Sequence, residues 1–281
     1  MTVRHAVAAA RARLLAAGLD PRHAHLDPEV LARHVLQWDR ATWITRADQP
    51  ASAEFVSAFD QVIARRAAHE PVAYIVGSRE FYGRDFLVNP DVLIPRPETE
   101  LIVEYVLRHV PADRFARVID VGTGSGALAV TLAAERQAWH VEAADISAAA
   151  IGVARRNAEA LGVVARVTFL IGDLLAPTMG LFDVIVSNPP YVARRDAPGM
   201  MPDVRDHEPH VALFGGEDGM DLPRRLLAQA AKRLVPGGWI AMEFGYGMQE
   251  PTEAAARDAG LAIEDVLEDL QGIARTLIAR R

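Results

Sequence analysis

The chain has no cysteine among its 281 residues. Disulfides, cysteine-ligated zinc and thiol catalysis are therefore excluded, and the composition fits a reducing cytosol. The chain also lacks a run of the ~18–20 apolar residues that a membrane span needs, and its N-terminus has no apolar signal segment. We therefore expect a soluble, cytoplasmic protein.

The chain also has fewer basic than acidic residues. Lys and Arg total 30 against 37 Asp and Glu, which gives a net charge of -7 in an otherwise ordinary composition with 51% hydrophobic residues. Broad binding to nucleic-acid backbones needs the opposite balance of charge. We therefore expect no stable binding of nucleic acid, and we expect a monomer.

The first 70 residues predict a small helical domain. The segments with helical periodicity are Val3 to Ala17, Pro28 to Leu36 and Ser52 to Ala68. Asp27 before Pro28 is typical of an N-cap followed by proline at the first helical position. Because helices this short are marginal alone, they should pack as a bundle. Predicted core residues include Leu31, Trp38, Trp43, Ile44, Phe55 and Phe59; the alternative for the two tryptophans is a docking surface for a partner.

Residues 71–97 predict a connection between this bundle and the rest of the chain. Val72 to Val88 alternates apolar and polar residues around Gly77 and Gly83, which indicates a β-hairpin. Pro90 to Pro97 contains three prolines and therefore predicts an extended linker. A helix should follow from Glu98 to Val110.

From Arg117 onward, segments with strand and helix patterns alternate. The predicted strands are Arg117–Val121, His140–Asp145, Val167–Ile171, Phe182–Ser187 and Trp239–Phe244, followed by Leu261–Leu267 and Ile273–Ile278 as a hairpin. The predicted helices are Ala127–Arg136, Ala148–Leu161, Leu222–Leu234 and Gln249–Ala259. Such alternation indicates an α/β fold with a doubly wound, mostly parallel sheet, here with an antiparallel hairpin at its C-terminal end.

A glycine-rich turn closes the first of these strands. Gly122-Thr123-Gly124-Ser125-Gly126 lets the backbone turn sharply and approach a ligand closely, at the start of a helix with free N–H groups. The spacing differs from the dinucleotide fingerprint G-x-G-x-x-G. Asp120, just before the turn, either orients it or meets a cofactor ammonium through water.

Two acidic residues end the next two strands. Asp145 can accept hydrogen bonds from both hydroxyls of a ribose, an arrangement that NAD enzymes also use. Asp173 can accept from an adenine amino group while Leu174 packs on the ring; the alternatives are a helix cap and a core position. These residues predict a nucleoside-containing cofactor without deciding which one.

A motif of a different type follows the strand Phe182–Ser187. Asn188-Pro189-Pro190-Tyr191 combines an amide side chain, two prolines with locked φ and an aromatic ring. The Asn188 side-chain oxygen and the Pro189 carbonyl can each accept one N–H of a planar –NH2, and Tyr191 can flank the planar group. Beside the glycine turn, this slot predicts methyl transfer from S-adenosylmethionine to a planar nitrogen, with no metal required.

Over nearly its whole length the chain resembles the glutamine methyltransferases that modify class-1 peptide chain release factors (the PrmC/HemK family). The segments that carry this resemblance are Arg79 to Gly83, Leu93 to Glu100, Asp120 to Gly126, Ser187 to Tyr191, and Glu208-Pro209-His210 through Gly219. The proline-rich string and the Glu-Pro…Gly-Gly-x-Asp-Gly stretch are not general features of methyltransferases. The resemblance departs at Leu174, where some relatives carry an aromatic residue.

The resemblance implies a Rossmann-like class I methyltransferase domain over residues 98–281, a linker over 71–97 and a substrate-recognition bundle over 1–70. It implies methylation of the side-chain amide nitrogen of glutamine in the release factor's Gly-Gly-Gln motif. It also implies that Gly122–Gly126, Asp145, Asp173, Leu174 and Asn188 contact S-adenosylmethionine, while Asn188 to Tyr191 hold the glutamine.

Other functions stay open at this point. A DNA adenine methyltransferase also uses Asn-Pro-Pro-Tyr, although it has to flip a base and hold a duplex backbone. A ribosomal-protein glutamine is a second possible acceptor, and a non-enzymatic sensor that only binds cofactor is a third reading. His207 and His210, with Asp203 and Asp206 nearby, leave a metal site open, although Pro209 disfavours a helix that presents both histidines.

Overall fold

The computed structural model describes residues 1–281. The chain divides into two compact units. The first is formed by Met1–Ser78 together with Met201–His207, and the second by Arg79–Met200 together with Glu208–Arg281. No helix is both long enough and apolar enough to cross a membrane.

The first unit is helical. Its helices are α1 (Val3–Ala16), α2 (Pro21–Leu36), α3 (Arg40–Arg46), α4 (Ala53–Ala67), α5 (Val72–Val76) and, from the distant segment, α9 (Pro202–His207). Short polar side chains start the first four, because each accepts a hydrogen bond from a backbone N–H that the first turn leaves free. These caps are Thr2, Asp20, Asp39 and Ser52.

Leu14, Leu31, Phe59 and Ile63 lie in the apolar core of this unit. Trp43 also lies there with 5% of its surface exposed, which confirms the packing interpretation for this residue, and Trp38 packs against the core while half-buried. The prediction for Ile44 was wrong, since its side chain is 67% exposed. It follows Trp43 on a seven-residue helix, where only one face can reach the core.

The predicted start of the second helix was wrong. The helix begins at Pro21 with Asp20 as its cap, and Pro28 lies inside it. The chain has two Asp-Pro pairs, and the first already supplies the cap and the proline at the first position. The second aspartate is buried instead, where Asp27 accepts from Arg66 Nε at 2.7 Å.

The region predicted as a hairpin from Val72 to Val88 begins as helix α5. Gly77, with φ of 82°, ends that helix in the left-handed conformation that glycine favours. The hairpin is therefore shorter, with β1 (Ser78–Phe81) and β2 (Arg84–Leu87). Tyr82 and Gly83 both have positive φ, as a two-residue turn between twisted strands requires.

The second unit is built on a seven-stranded sheet. Its strands are β3 (Arg117–Val121), β4 (His140–Asp145), β5 (Val167–Ile171), β6 (Phe182–Ser187), β7 (Leu234–Glu243), β8 (Ala262–Glu268) and β9 (Ala274–Arg280). The strand order is β5-β4-β3-β6-β7-β9-β8. The pairs among β3 to β7 are parallel, whereas β9 runs antiparallel to both β7 and β8. The mostly parallel sheet with a C-terminal antiparallel hairpin is thus confirmed.

Helices cover both faces of this sheet. These helices are α6 (Glu100–His109), which follows a 3-10 turn over Pro97–Thr99, then α7 (Ala127–Glu135), α8 (Ala148–Ala160), α11 (Asp221–Arg233) and α12 (Gln249–Asp258); the short α10 (His210–Leu213) precedes α11. Neighbouring strand residues alternate between two buried clusters: Val118 packs with α6 and α7, whereas Ile119 packs with α11 and α12. This alternation explains why both faces of the strands are apolar.

Candidate active site

The strand order reverses between β3 and β6, which lie side by side with Asp120 opposite Val186. Open α/β sheets bind ligands at such a switch point, outside the carboxyl ends of the strands. A cleft of about 1070 Å³, including the part open to solvent, lies there. The expected site residues that line it are Gly122, Thr123, Gly124, Ser125, Asp145, Asp173, Leu174, Asn188 and Pro190. Gly126, Pro189 and Tyr191 are not among the lining residues.

The glycine turn after β3 has three residues in the left-handed region. The φ angles of Gly122, Gly124 and Gly126 are 73°, 56° and 83°, which residues with a Cβ rarely adopt. Space is open beside Gly124, whereas a Cβ on Gly126 would lie 3.0 Å from that of Ala154 on α8. Gly126 therefore lets α7 pack closely on α8, and the first two glycines leave the cleft open.

Asp145 ties the glycine turn to the start of α8. Its two carboxylate oxygens accept from the backbone N–H groups of Gly124 and Ser147, both at 2.9 Å. Each oxygen keeps a further lone pair, so the same carboxylate can accept from ligand hydroxyls. Burial raises the pKa of Asp145, against the backbone hydrogen bonds that lower it.

Asp120 lies on the floor of the cleft with one oxygen unpaired. Its Oδ2 accepts from Thr123 Oγ1 at 2.6 Å and from the Ala129 N–H at 3.1 Å, while the buried Oδ1 has no partner. Burial raises the pKa of this carboxyl to about 7. A buried acceptor without a donor costs ~1–3 kcal/mol, so the site fits a cofactor that brings a cationic or water-bridged donor to this point.

The Asp173–Leu174 corner forms another wall of the cleft. The Asp173 carboxylate accepts from the guanidinium of Arg225 on α11. Leu174 has a φ of 51°, a strained conformation for a branched residue that the surrounding structure has to hold in place. Leu174 lines the cleft, where its side chain can pack on a planar ring.

Asn188 follows β6 and is joined to two buried side chains. Its Nδ2 donates to Thr99 Oγ1 at 3.1 Å, and the Thr99 hydroxyl donates to Glu243 Oε2 at 2.6 Å. The Tyr191 hydroxyl donates to the other oxygen of Glu243 at 3.1 Å. Burial raises the pKa of Glu243 to about 7, and burial together with the charge of Glu243 raises the pKa of Tyr191.

Glycines of the loop before α11 hold the Asn188–Tyr191 loop from outside. A Cβ on Gly215 would overlap the carbonyl oxygen of Pro190, and one on Gly219 would overlap the carbonyl oxygen of Tyr191. The two segments therefore approach with backbone against backbone, which only glycine allows. This packing gives a structural role to the Gly-Gly-x-Asp-Gly stretch.

The proline-rich linker is fixed to the cleft by one buried carboxylate. Glu208 accepts from the Ile94 N–H at 3.1 Å and from Arg96 Nη2 at 2.5 Å, and only 3% of it is exposed. Arg96 and Pro95 line the cleft. The linker therefore forms part of the site as well as a connection.

Two family models match this chain: the PrmC N-terminal domain over residues 5–77 and the methyltransferase small domain over residues 99–201. The release factor glutamine methyltransferase of Koribacter versatilis is 44% identical, with 100% of this chain and 99% of that protein aligned. Those of Cereibacter sphaeroides and Moorella thermoacetica are 42% and 43% identical, again over 100% of this chain and 99% of each relative. This chain belongs to the release factor glutamine methyltransferase family.

Similarity to solved structures identifies the fold. A methyltransferase from Pyrococcus furiosus aligns with a TM-score of 0.54 and 21% identity, over 77% of this chain and 98% of that one. The catalytic domain of hMettl16, solved with an RNA hairpin, aligns with a TM-score of 0.57 and 19% identity, over 78% and 81% of the two chains. Both confirm the Rossmann-like methyltransferase fold.

The residues considered for a metal site have other partners in this family member. Asp203 pairs with Arg66 and Asp206 with Arg205, while His207 Nε2 contacts the Ala68 carbonyl oxygen. No group of three or more His, Cys, Asp or Glu side chains is arranged to hold a metal ion.

Three residues of the site were missed from sequence: Thr99, Glu243 and Arg225. Thr99 lies in the proline-rich string, which carried the resemblance without a chemical role for its residues. Glu243 ends β7, the strand beside β6, so a carboxylate at the end of a predicted neighbouring strand was the signal that could have found it. No sequence signal marks Arg225, because its partner lies 52 residues away.

Proposed function

We propose that this chain transfers a methyl group from S-adenosylmethionine to the side-chain amide nitrogen of the glutamine in the Gly-Gly-Gln motif of class-1 release factors. The observation that carries the proposal is the position of Asn188, a fixed amide at the switch point of a methyltransferase sheet, facing the cleft. The relatives aligned over the whole chain support the choice of acceptor.

The lining of the cleft supports a set of cofactor roles. Gly122, Thr123, Gly124 and Ser125 line the cleft and, with Gly126 behind them, would form the turn that holds the cofactor. Asp145 would accept from its ribose hydroxyls, and the unpaired oxygen of Asp120 would accept from its ammonium group through water. Asp173 would accept from the adenine amino group, Leu174 would pack on the ring, and Asn188 would close the site. When bound, S-adenosylmethionine supplies a methyl group on a sulfonium, which already carries the activation of the leaving group.

The acceptor residues work by position and electrostatics. A primary amide nitrogen is a poor nucleophile, and its deprotonation near neutral pH is unrealistic. Asn188 Oδ1 and the Pro189 carbonyl each accept one N–H of the glutamine amide, which aims the nitrogen and stabilises the positive charge that builds on it. The methylated nitrogen carries one proton too many, and it releases that proton to the solvent that the open cleft admits. Pro190 lines the cleft and keeps the loop rigid. Tyr191 lies behind the lining, with its hydroxyl on Glu243, and we propose that its ring flanks the planar group from there.

We also propose a separate role for each part of the chain. Residues 1–70 recognise the protein substrate, residues 71–97 connect the two parts, and residues 98–281 carry the chemistry. The enzyme acts as a monomer in the cytoplasm, where release factors work, and it forms no stable complex with nucleic acid. The net charge of -7 supports the last point.

A transfer assay with labelled S-adenosylmethionine tests the acceptor. It compares an intact release factor, its variant with alanine for the Gly-Gly-Gln glutamine, ribosomal proteins and adenine-containing DNA. Label on the intact factor alone supports the proposal. Label on DNA or on a ribosomal protein keeps the chemistry of the slot and overturns the choice of substrate, and cofactor binding without transfer to any acceptor supports a sensor.

A further inference from the structure

Three side chains form a hydrogen-bonded row that ends at the acceptor slot. The row runs from Glu243 on β7 through Thr99, at the start of α6, to Asn188 after β6. Glu243 and Thr99 are buried, with 2% and 5% of their surfaces exposed. Only Thr99 and Asn188 line the cleft, so Glu243 acts on the slot through its neighbours.

The direction of this row follows from counting protons. An ionised carboxylate only accepts hydrogen bonds, and a threonine hydroxyl has one proton to donate. Because Thr99 donates that proton to Glu243, its oxygen can only accept from Asn188. The Asn188 amide therefore has to turn its –NH2 towards Thr99, which leaves its Oδ1 as the end that is free for the slot.

We propose that Thr99 and Glu243 are positioning residues for methyl transfer, which fix the Asn188 amide with its oxygen towards the acceptor nitrogen. This inference rests on the proposed function, since an oxygen is needed there only if the acceptor presents N–H groups. With the amide reversed, the Asn188 –NH2 would meet the –NH2 of the substrate, donor against donor, and the acceptor would lose the bond that aims it.

The surroundings of Glu243 argue against a purely structural role. Both of its hydrogen-bond partners are neutral hydroxyl groups, Thr99 and Tyr191. A buried carboxylate without a paired cation destabilises a fold, and an apolar side chain would fill the same space without that cost. The carboxylate does what an apolar side chain cannot, since it accepts two hydrogen bonds and thereby sets the direction of the row.

The same row can reverse when Glu243 takes up a proton. The neutral acid can donate to Thr99, which can then donate to the Asn188 oxygen and turn the –NH2 into the cleft. Burial and, to a smaller extent, the charge of Glu98 raise the pKa of Glu243, whereas the hydrogen bonds from Thr99 and Tyr191 and the charge of Arg275 on β9 lower it, and the net pKa is about 7. The hydroxyl of Tyr191 faces the same carboxyl. The ionised form is the active one, so turnover should rise as the pH passes through about 7.

Three variants and a matched control test the row. Thr99→Val removes the hydroxyl at constant volume, Thr99→Ser keeps it, and Glu243→Gln removes the ionisation. The control is Thr276→Val, the same substitution at a buried threonine that pairs with Glu243 across strands β7 and β9 and whose hydroxyl has no partner.

Steady-state transfer to the release factor should separate the variants. We expect Thr99→Val to lower kcat by about 10- to 100-fold, the scale of a misaimed reactant, with cofactor affinity within about threefold of wild type. Thr99→Ser should recover most of kcat, the Thr276→Val control should match wild type, and Glu243→Gln should lose the rise near pH 7. The proposal is overturned if Thr99→Val keeps wild-type kcat, if serine fails to rescue, or if the wild-type profile is flat from about pH 6 to 8.

A second measurement separates this inference from the proposed acceptor. The side-chain –NH2 resonances of Asn188, assigned with Asn188→Ala, report its hydrogen bond to Thr99 without any turnover. They should shift with pH near 7 in the wild type and in Thr276→Val, and should lose that response in Thr99→Val. If no release factor is labelled but this response is present, the proposed function fails, while the hydrogen-bonded row and its control of the Asn188 amide stand. If the Asn188 resonances change neither with pH nor in Thr99→Val, the hydrogen-bonded row itself is overturned.

Discussion

Asp120→Asn should stabilise the cofactor-free protein at high pH while weakening its binding of cofactor. The wild-type carboxyl is buried at the floor of the cleft, and its Oδ1 has no partner. The amide keeps one oxygen to accept from Thr123 and Ala129 and removes the buried charge. Stability and binding should therefore move in opposite directions.

The magnitude follows from the pKa of Asp120, which burial raises from 3.8 to about 7. At about 1.36 kcal/mol per pH unit, this difference corresponds to at most about 4 kcal/mol lost by the wild type when the group ionises. The folded state binds more protons than the unfolded chain between about pH 4 and pH 7, so stability falls as the pH rises through that window. The amide leaves its –NH2 unpaired at a cost of ~1–3 kcal/mol, so the net gain at pH 8 is about 1–3 kcal/mol.

Thermal unfolding without cofactor at pH 5 and pH 8, together with calorimetric titration of S-adenosylmethionine, measures both effects. At pH 5 the two proteins should unfold at similar temperatures, since the wild type has lost only about 1–2 kcal/mol by that pH, and the unpaired –NH2 costs the variant a similar amount. At pH 8 the variant should unfold ~2–10 °C higher and bind the cofactor more weakly, whereas Asp113→Asn at an exposed site should change neither. Equal destabilisation of the variant at both pH values, or unchanged cofactor affinity, would contradict the role given to Asp120.

The remaining predictions concern the walls of the cleft. Asn188→Ala should abolish most transfer while cofactor affinity on titration stays near wild type; near-normal turnover would refute the slot. Asp145→Ala removes a charged acceptor worth ~1.5–3 kcal/mol, so the Kd for S-adenosylmethionine should rise about 10- to 150-fold. An unchanged Kd would exclude a hydrogen bond between Asp145 and the ribose of the cofactor. Gly215→Ala should push the loop away through the Pro190 carbonyl and lower kcat more than cofactor affinity. Gly152→Ala on α8, where a Cβ meets nothing within 4 Å, is its control and should be neutral.

Much of the sheet was predictable because its central strands β3, β4 and β6 are buried on both faces. Continuous apolar runs bounded by polar or glycine residues predicted β3, β4, β5 and β6 with the bounds that the structure has. Strand β7 begins at Leu234 rather than Trp239, since pairing with β6 extends it through Pro236 and two glycines. Local propensity disfavours such residues in a strand, so only tertiary pairing could reveal this extension.

The wrong predictions in the N-terminal part have the same physical cause. The patterns of Asp27-Pro28 and of Val72 to Val76 are compatible with more than one local structure, and contacts distant in sequence decide between them. Asp27 is held by Arg66, 39 residues away, and α5 packs on α2 and α4. A single stretch of sequence does not contain these partners.

The residues of the site also divide into those that the sequence predicts and those that only contacts distant in sequence reveal. Glycines and carboxylates at strand ends could be placed from sequence, because the carboxyl ends of parallel strands meet at one edge. The row from Glu243 through Thr99 to Asn188 spans 144 and 89 positions in its two bonds. Hydrogen bonds between residues this far apart leave no periodic signal, and they emerged only from the folded chain.

The most direct test of the account is to locate the methyl group. A release factor incubated with S-adenosylmethionine and either the wild-type protein or Asn188→Ala is digested, and its peptides are fragmented in a mass spectrometer. We expect one methyl group on the side-chain amide of the Gly-Gly-Gln glutamine with the wild type and almost none with the variant. A methyl group on another residue, or equal methylation by the variant, would contradict it.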